Sequence, residues 1–291
     1  MTSVLVGIDG SENSKVALAW AATLAQALGL PLRTLWAWQY PADTVVSVGE
    51  VVLDEPARVD ELVGAQLRAL VTDVLGQPSG KVTAQVARGP AAAALLRSAQ
   101  ASPAMIVVGS RGLGGFKGLL LGSVSRQLAE HAPSPVTIVP PAASTRPRRL
   151  EHLMVAVDGS TGANRALTFG AELASKANAE LVAAHALAPH PEVGVDLSPP
   201  PTDPLPSLAA GRELLEDWCA PLRDAGVAYR TAVVRGDART ALLEAARDRG
   251  ADLLIVGSRG RGAVTKLLLG SVAASLIRHS DRPVTVVPHQ R

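Results

Sequence analysis

A single cysteine, Cys219, is all that the 291-residue chain contains. It has no partner for an internal disulfide and no second thiol for a zinc cluster, so it reads as a buried or half-buried structural thiol. Aromatic residues are only 3% of the sequence, which leaves few platforms on which single-stranded bases could stack. Neither sign of charge dominates: 28 basic against 26 acidic side chains give +2 at pH 7. That removes long-range attraction to nucleic acid or anionic lipid as an organising feature. The one basic cluster, Arg146, Arg148 and Arg149 around Pro147, reads as solvated linker charge. Hydrophobic residues make up 47%, yet no uninterrupted apolar run reaches the roughly 20 residues that a membrane-spanning helix needs. The N-terminus enters an apolar strand without a basic leader. A soluble cytoplasmic protein is expected, with neither nucleic acid nor membrane as partner.

What the chain does have is a copy of itself at an offset of 148 to 149 residues. Val6-Gly7-Ile8-Asp9-Gly10-Ser11 recurs as Val155-Ala156-Val157-Asp158-Gly159-Ser160, and Gly109 to Pro140 aligns on Gly257 to Pro288 without a gap, with 18 identities in 32 positions. Domains are expected at 1–141 and 150–291, joined by a Pro-, Ala-, Ser-, Thr- and Arg-rich linker at 142–149. In the first copy, apolar runs predict strands at about 3–8, 31–37, 81–88, 104–109 and 135–140, alternating with helices at about 12–29, 56–76, 91–101 and 123–132. The second copy repeats the order, with strands near 151–157, 180–186, 227–234, 252–257 and 283–288. Runs such as Met105-Ile106-Val107-Val108 are apolar on both faces, as a parallel strand covered on each side must be. A doubly wound α/β sheet follows, with an order such as 3-2-1-4-5 and its crevice beyond the first and fourth strands.

After the fourth strand of each copy comes a glycine-rich segment of identical spacing, G-x2-G-x9-G-S. Gly109-Ser110-Arg111-Gly112 is followed nine residues later by Gly122-Ser123-Val124, and Gly257-Ser258-Arg259-Gly260 by Gly270-Ser271-Val272. Glycines permit positive φ and let bare backbone N–H groups approach an anion. Ser123 and Ser271 are expected as N-caps at the positive end of a helix dipole. Together these parts predict a phosphate cradle, against the alternative of a surface loop whose glycines serve only turns. Asp9 and Asp158 face this loop across the crevice, where a carboxylate could accept from a ribose or approach a metal at the phosphates, or could instead cap the following helix. The Walker motif G-x-x-x-x-G-K-[ST] is absent, and no G-x-G-x-x-G opens the first helix of either copy.

The V-x-x-D-G-S strand, the G-x2-G-x9-G-[ST] loop and the closing His-x3-Pro-Val-Thr segment resemble the universal stress protein family, in its ATP-binding, tandem-domain form. The resemblance spans nearly the whole chain. It implies two flavodoxin-like, adenine nucleotide alpha hydrolase-like domains, two ATP per chain with Mg2+, and a stress or dormancy role. Such proteins often dimerise through the last strand, and the apolar closing strands Pro135 to Pro140 and Pro283 to Pro288 lead us to expect pairing of the two domains, together with further homodimerisation and a regulatory protein partner of unknown identity. By the same resemblance, Gly7 and Asp9, with Ala156 and Asp158, contact the nucleoside, and Ala37 and Ala186 read adenine through the backbone. Gly109, Ser110, Arg111, Gly112, Gly114, Gly122, Ser123 and Val124 line the phosphates, as do Gly257, Ser258, Arg259, Gly260, Gly262, Gly270, Ser271 and Val272. His185 ends the second strand of copy two where copy one has Trp36, and it is expected to pack rather than to catalyse. The connection after that strand is Pro-rich only in copy two, at Pro199, Pro200, Pro201, Pro204 and Pro206.

A hydrolase reading would need Ser123, His131 and Asp9 as nucleophile, base and orienter. On one short helix Ser123 and His131 stand about 12 Å apart, beyond hydrogen-bond reach. A binding protein is therefore expected, with slow ATP hydrolysis or an electron-transfer-flavoprotein-like module as the alternatives.

Overall fold

The structure is a computed structural model that describes residues 3–39, 56–76, 81–100, 103–113, 121–143, 149–187, 207–261 and 269–289. Gly114, Gly262, Arg146, Pro147, Arg148 and the prolines at 199–206 lie outside the described residues. The chain divides into two compact units, Met1–Arg149 and Leu150–Arg291.

The first unit runs β1 (Val4–Ile8), α1 (Glu12–Leu28), β2 (Leu32–Trp38), α2 (Pro56–Leu75), β3 (Val82–Arg88), α3 (Ala91–Ala99), β4 (Met105–Gly109), α4 (Ser123–His131) and β5 (Val136–Val139). Its strands are parallel in the order β3-β2-β1-β4-β5, with Val6 opposite Thr34 on one side and Val107 on the other. Consecutive residues Val4, Leu5 and Val6, and likewise Met105, Ile106 and Val107, are fully buried, so both faces of the central strands are covered. Helices α1 and α2 pack together, and α3 packs with α4, one pair to each face as right-handed crossovers require.

The second unit runs β6 (His152–Ala156), α5 (Thr161–Ala177), β7 (Glu180–Leu187), α6 (Leu208–Trp218), α7 (Ala220–Asp224), β8 (Arg230–Arg235), α8 (Ala238–Asp248), β9 (Leu253–Gly257), α9 (Ser271–His279) and β10 (Val284–Val287). Its order, β8-β7-β6-β9-β10, is the same winding.

The copies differ where their sequences do. Helix α1 ends at Gly29 in the left-handed conformation (φ 65°), and α5 at Asn178 (φ 53°), the side chain that best tolerates that backbone after glycine. The single long helix α2 of the first copy is broken into α6 and α7 in the second. The break falls at Cys219, and Pro221, which lacks the N–H needed to continue α6, enters the first turn of α7. Each unit also clamps its second crossover helix to the sheet through one carboxylate. In the first, the Trp38 indole donates to Asp60 at 2.7 Å and Arg88 Nε donates at 3.0 Å, which holds the Asp60 carboxyl below its usual range. In the second, Tyr229 and Thr231 donate to Glu216 at 3.0 and 2.9 Å.

Cys219 is wholly buried at that helix junction, and burial pushes its thiol up to about 11. Since the thiolate is the nucleophile, native protein at pH 8 should react with a thiol reagent at least about 100-fold more slowly than denatured protein. Comparable rates in the two states would show that α6 and α7 part readily.

Candidate functional site

The strand order reverses at the β1–β4 pair, which opens a crevice at the carboxyl ends of these strands. Where β1 ends, Asp9-Gly10-Ser11 turns the chain into α1. Gly10 has φ 84°, and the Trp36 ring lies over it so closely that a Cβ would stand 3.0 Å away. Ser11, not Asp9, is the N-cap: its hydroxyl accepts from Ser14 N at 3.1 Å. Asp9 instead accepts from the Ser11 N–H and hydroxyl through Oδ1, at 3.0 and 2.6 Å, and from Leu113 N through Oδ2 at 2.9 Å. One carboxylate thus braces the cap and reaches across the crevice to the glycine loop.

The second copy repeats this geometry. Asp158 accepts from Ser160 N at 3.0 Å and from Arg261 N at 2.9 Å, while Ser160 caps α5. Gly159 has φ 76° and is covered by Trp218, a residue of α6 rather than of β7; a Cβ would lie 2.5 Å from its ring. Two tryptophans distant in the repeat alignment therefore cover equivalent turns.

Of the two purposes expected of the loop glycines, positive φ is not the one they serve. None of Gly109, Gly112, Gly122, Gly257, Gly260 or Gly270 adopts a positive φ. What they provide is space: a Cβ on Gly112 would overlap the Asp9 carboxylate, and one on Gly260 that of Asp158. The N-cap of each helix is one residue earlier than expected. Gly122 (φ −74°, ψ 159°) and Gly270 (φ −71°, ψ 155°) are the N-caps, with Ser123 and Ser271 the first helical residues. Because a glycine cap brings no side-chain acceptor, the first-turn amides are left for solvent or a ligand.

In the first unit the crevice is a cavity of about 410 Å³, lined by Gly7, Asp9, Ala37, Gly109, Arg111, Gly112, Gly122, Ser123 and Val124. In the second it is about 250 Å³, lined by Ala156, Asp158, Ala186, Gly257, Arg259, Gly260, Gly270, Ser271 and Val272. Ser110 and Ser258 are buried beneath the loops and do not line the cavities. Their carbonyls accept from Gly122 N and Gly270 N, both at 2.7 Å, and so close each loop at its base. His131 and His279 lie at the far ends of α4 and α9, each ring donating from Nδ1 to a carbonyl of its own helix, Gln127 or Ser275, at 3.0 Å.

Several lining residues carry no sequence signal of a site. Leu35, Ala91 and Leu95 in the first cavity, and Ala238 and Leu242 in the second, look like ordinary core positions. Leu35 reaches its cavity from β2, and the packing of α3 and α8 over the strand ends brings the other four there. A Cβ on Gly7 would meet Leu95 Cδ1 at 2.9 Å, so that glycine lets the Leu95 side chain of α3 lie close over β1. Asn13 donates to the Arg111 carbonyl at 3.1 Å and ties α1 to the loop. Gly162, its counterpart, lets the backbone of α5 approach Arg259 directly, with no room for a Cβ. His185 lines the second cavity and donates from Nδ1 to the Val157 carbonyl at 2.8 Å, the ring edge-on to Trp218.

Known proteins resemble this chain in sequence and fold over nearly its whole length. A model of the universal stress protein family matches residues 1–140 and again 149–288. A universal stress protein of Mycolicibacterium smegmatis is 31% identical over 296 residues, covering 98% of this chain and 96% of that protein. One of Mycobacterium tuberculosis is 31% identical over 300 residues, covering 97% and 95%. Among solved structures, a universal stress protein from Archaeoglobus fulgidus shares the fold with TM-score 0.71 at 22% identity, over 99% of this chain and 98% of that one. Matched twice by the family model and over almost its entire length by these relatives, the chain belongs to the universal stress protein family.

Proposed function

We propose that this universal stress protein acts in the stress response as an ATP-binding regulator, one nucleotide per repeat, rather than as a dedicated catalyst. The observation that carries this reading is the convergence, twice in one chain, of a space-giving glycine loop, a helix N-terminus with no side-chain cap and a facing carboxylate on one cavity. Backbone N–H groups at a helix start favour phosphate. The apolar walls, Leu35 and Leu95 in the first cavity and Leu242 in the second, suit a base. Among the described residues no group of three or more His, Cys, Asp or Glu side chains could hold a metal ion. Mg2+ would therefore arrive with the phosphates and meet a single carboxylate, Asp9 or Asp158, where it would neutralise phosphate charge.

Dedicated hydrolysis calls for a base beside an attacking water. His131 lies at the opposite end of α4 from the loop, and both oxygens of Asp9 are already bonded to protein N–H or O–H groups. These placements favour retention of nucleotide over turnover. Mass spectrometry of small molecules released by denaturing freshly purified protein should find adenine nucleotide. A yellow protein releasing flavin instead would overturn the reading in favour of an electron-transfer-flavoprotein-like module.

A further inference from the structure

The two cavities carry different charge. Of the described residues that line the first, only Asp9 and Arg111 are charged, and they cancel. The second is lined by Asp158, Arg259 and a further cation, Arg261, at the position where the first copy has Leu113. Within the nine-residue spacers each copy has one lysine, Lys117 or Lys266, so Arg261 is the whole difference in charge between these segments.

Arg261 is also held in place. Its amide donates to Asp158, and its guanidinium carbon stands 5.0 Å above the centre of the Trp218 ring. That ring is wedged against the Gly159 turn and meets His185 edge-on at 4.9 Å, and His185 is itself anchored to the Val157 carbonyl. A guanidinium drawn to an aromatic face by cation–π attraction is restrained at the cavity wall, and its fork of N–H donors suits two phosphate oxygens at once. In the first unit the counterpart of this cation is Leu113, 73% exposed, and the ring that covers Gly10 is that of Trp36.

On the reading that both cavities bind adenine nucleotide, we infer that Arg261 makes the second site selective for polyphosphates over monophosphates, and that the larger first site, lacking this cation, discriminates much less. The two repeats then report different things. The second responds to nucleoside triphosphate, whereas the first responds to total adenine nucleotide.

Calorimetric titration with ATP and with AMP, each in excess Mg2+, tests this on full-length chains in which Gly122→Val or Gly270→Val leaves a single site. With only the second site left, ATP should bind at least about tenfold tighter than AMP. Arg261→Leu should bring the two within about threefold by weakening ATP alone, and Arg261→Lys should retain much of the preference. With only the first site left, Leu113→Arg should create a preference for ATP. A ratio of ATP to AMP affinity at the second site that Arg261→Leu leaves unchanged would overturn the inference while the nucleotide reading stands. If neither nucleotide binds to wild-type protein, that reading falls, and the role of Arg261 with it.

Discussion

Calorimetric titration of wild-type protein with ATP should show two sites, falling to one in Gly122→Val, to one in Gly270→Val, and to none in the double variant. Each copy has its own loop, its own glycine-capped helix and its own carboxylate, so neither borrows a residue from the other. Backbone strain is not the reason for the loss, because both glycines sit at ordinary negative φ. Steric crowding is. A Cβ on Gly122 would already stand 3.3 Å from the Ser110 carbonyl oxygen, and one on Gly270 3.4 Å from that of Ser258. The two further methyls of valine push the loop and the helix start apart where the amides must converge on phosphate. Each variant should lose at least about 100-fold in affinity at its own site, corresponding to roughly 2.7 kcal/mol. A single substitution that abolishes all binding in a folded protein would mean one composite site in place of two.

The second large effect concerns the pairing of Asp9 with Gly112. Asp9→Ala removes the acceptor that holds Leu113 N and therefore the near wall of the glycine loop. Hydrogen bonds to a charged group contribute about 1.5–3 kcal/mol in buried settings, less at this exposed end. Nucleotide affinity at the first site should fall roughly tenfold, while the thermal midpoint of nucleotide-free protein drops by no more than about 5 °C, since Ser11 itself still caps α1. Gly112→Ala should do the same by a different route, its new methyl displacing the carboxylate. Because one space is contested by both side chains, the double variant should be no worse than either single one, with a coupling of at least about 1 kcal/mol in a double-mutant cycle. Strictly additive losses would show that the loop and Asp9 act independently.

Much of this molecule was legible without coordinates because its signals are local or repeated. A strand buried on both faces must be apolar throughout, and a crossover helix must bury one stripe, so the element order follows from periodicity, while chirality narrows the windings to a few, of which 3-2-1-4-5 is one. Observed strand limits such as Val82–Arg88 and Met105–Gly109 fall within a residue of those expected. Loop spacing is likewise a property of the chain, and repetition at 148 to 149 residues marks Asp9, Asp158 and both glycine loops as paired features.

What escaped that reading depends on distances between segments far apart in sequence. Whether Gly112 needs a left-handed backbone or merely an absent methyl is set by where the Asp9 carboxylate lies, 103 positions earlier. Whether a serine side chain faces a ligand or sits beneath the loop is set by the base of that loop, where the Ser110 carbonyl accepts from both Gly122 N and the Ser125 hydroxyl. The similarity of Trp36 and Trp218 is invisible to alignment, since one lies within a strand and the other ends a helix, yet both rings cover the same kind of glycine turn. The sequence by itself determined the repeated fold, the position of each crevice and the residue types beside it. Tertiary structure alone decided which atoms meet there, because side-chain contact depends on how helices lie across strand ends, and no local pattern encodes that.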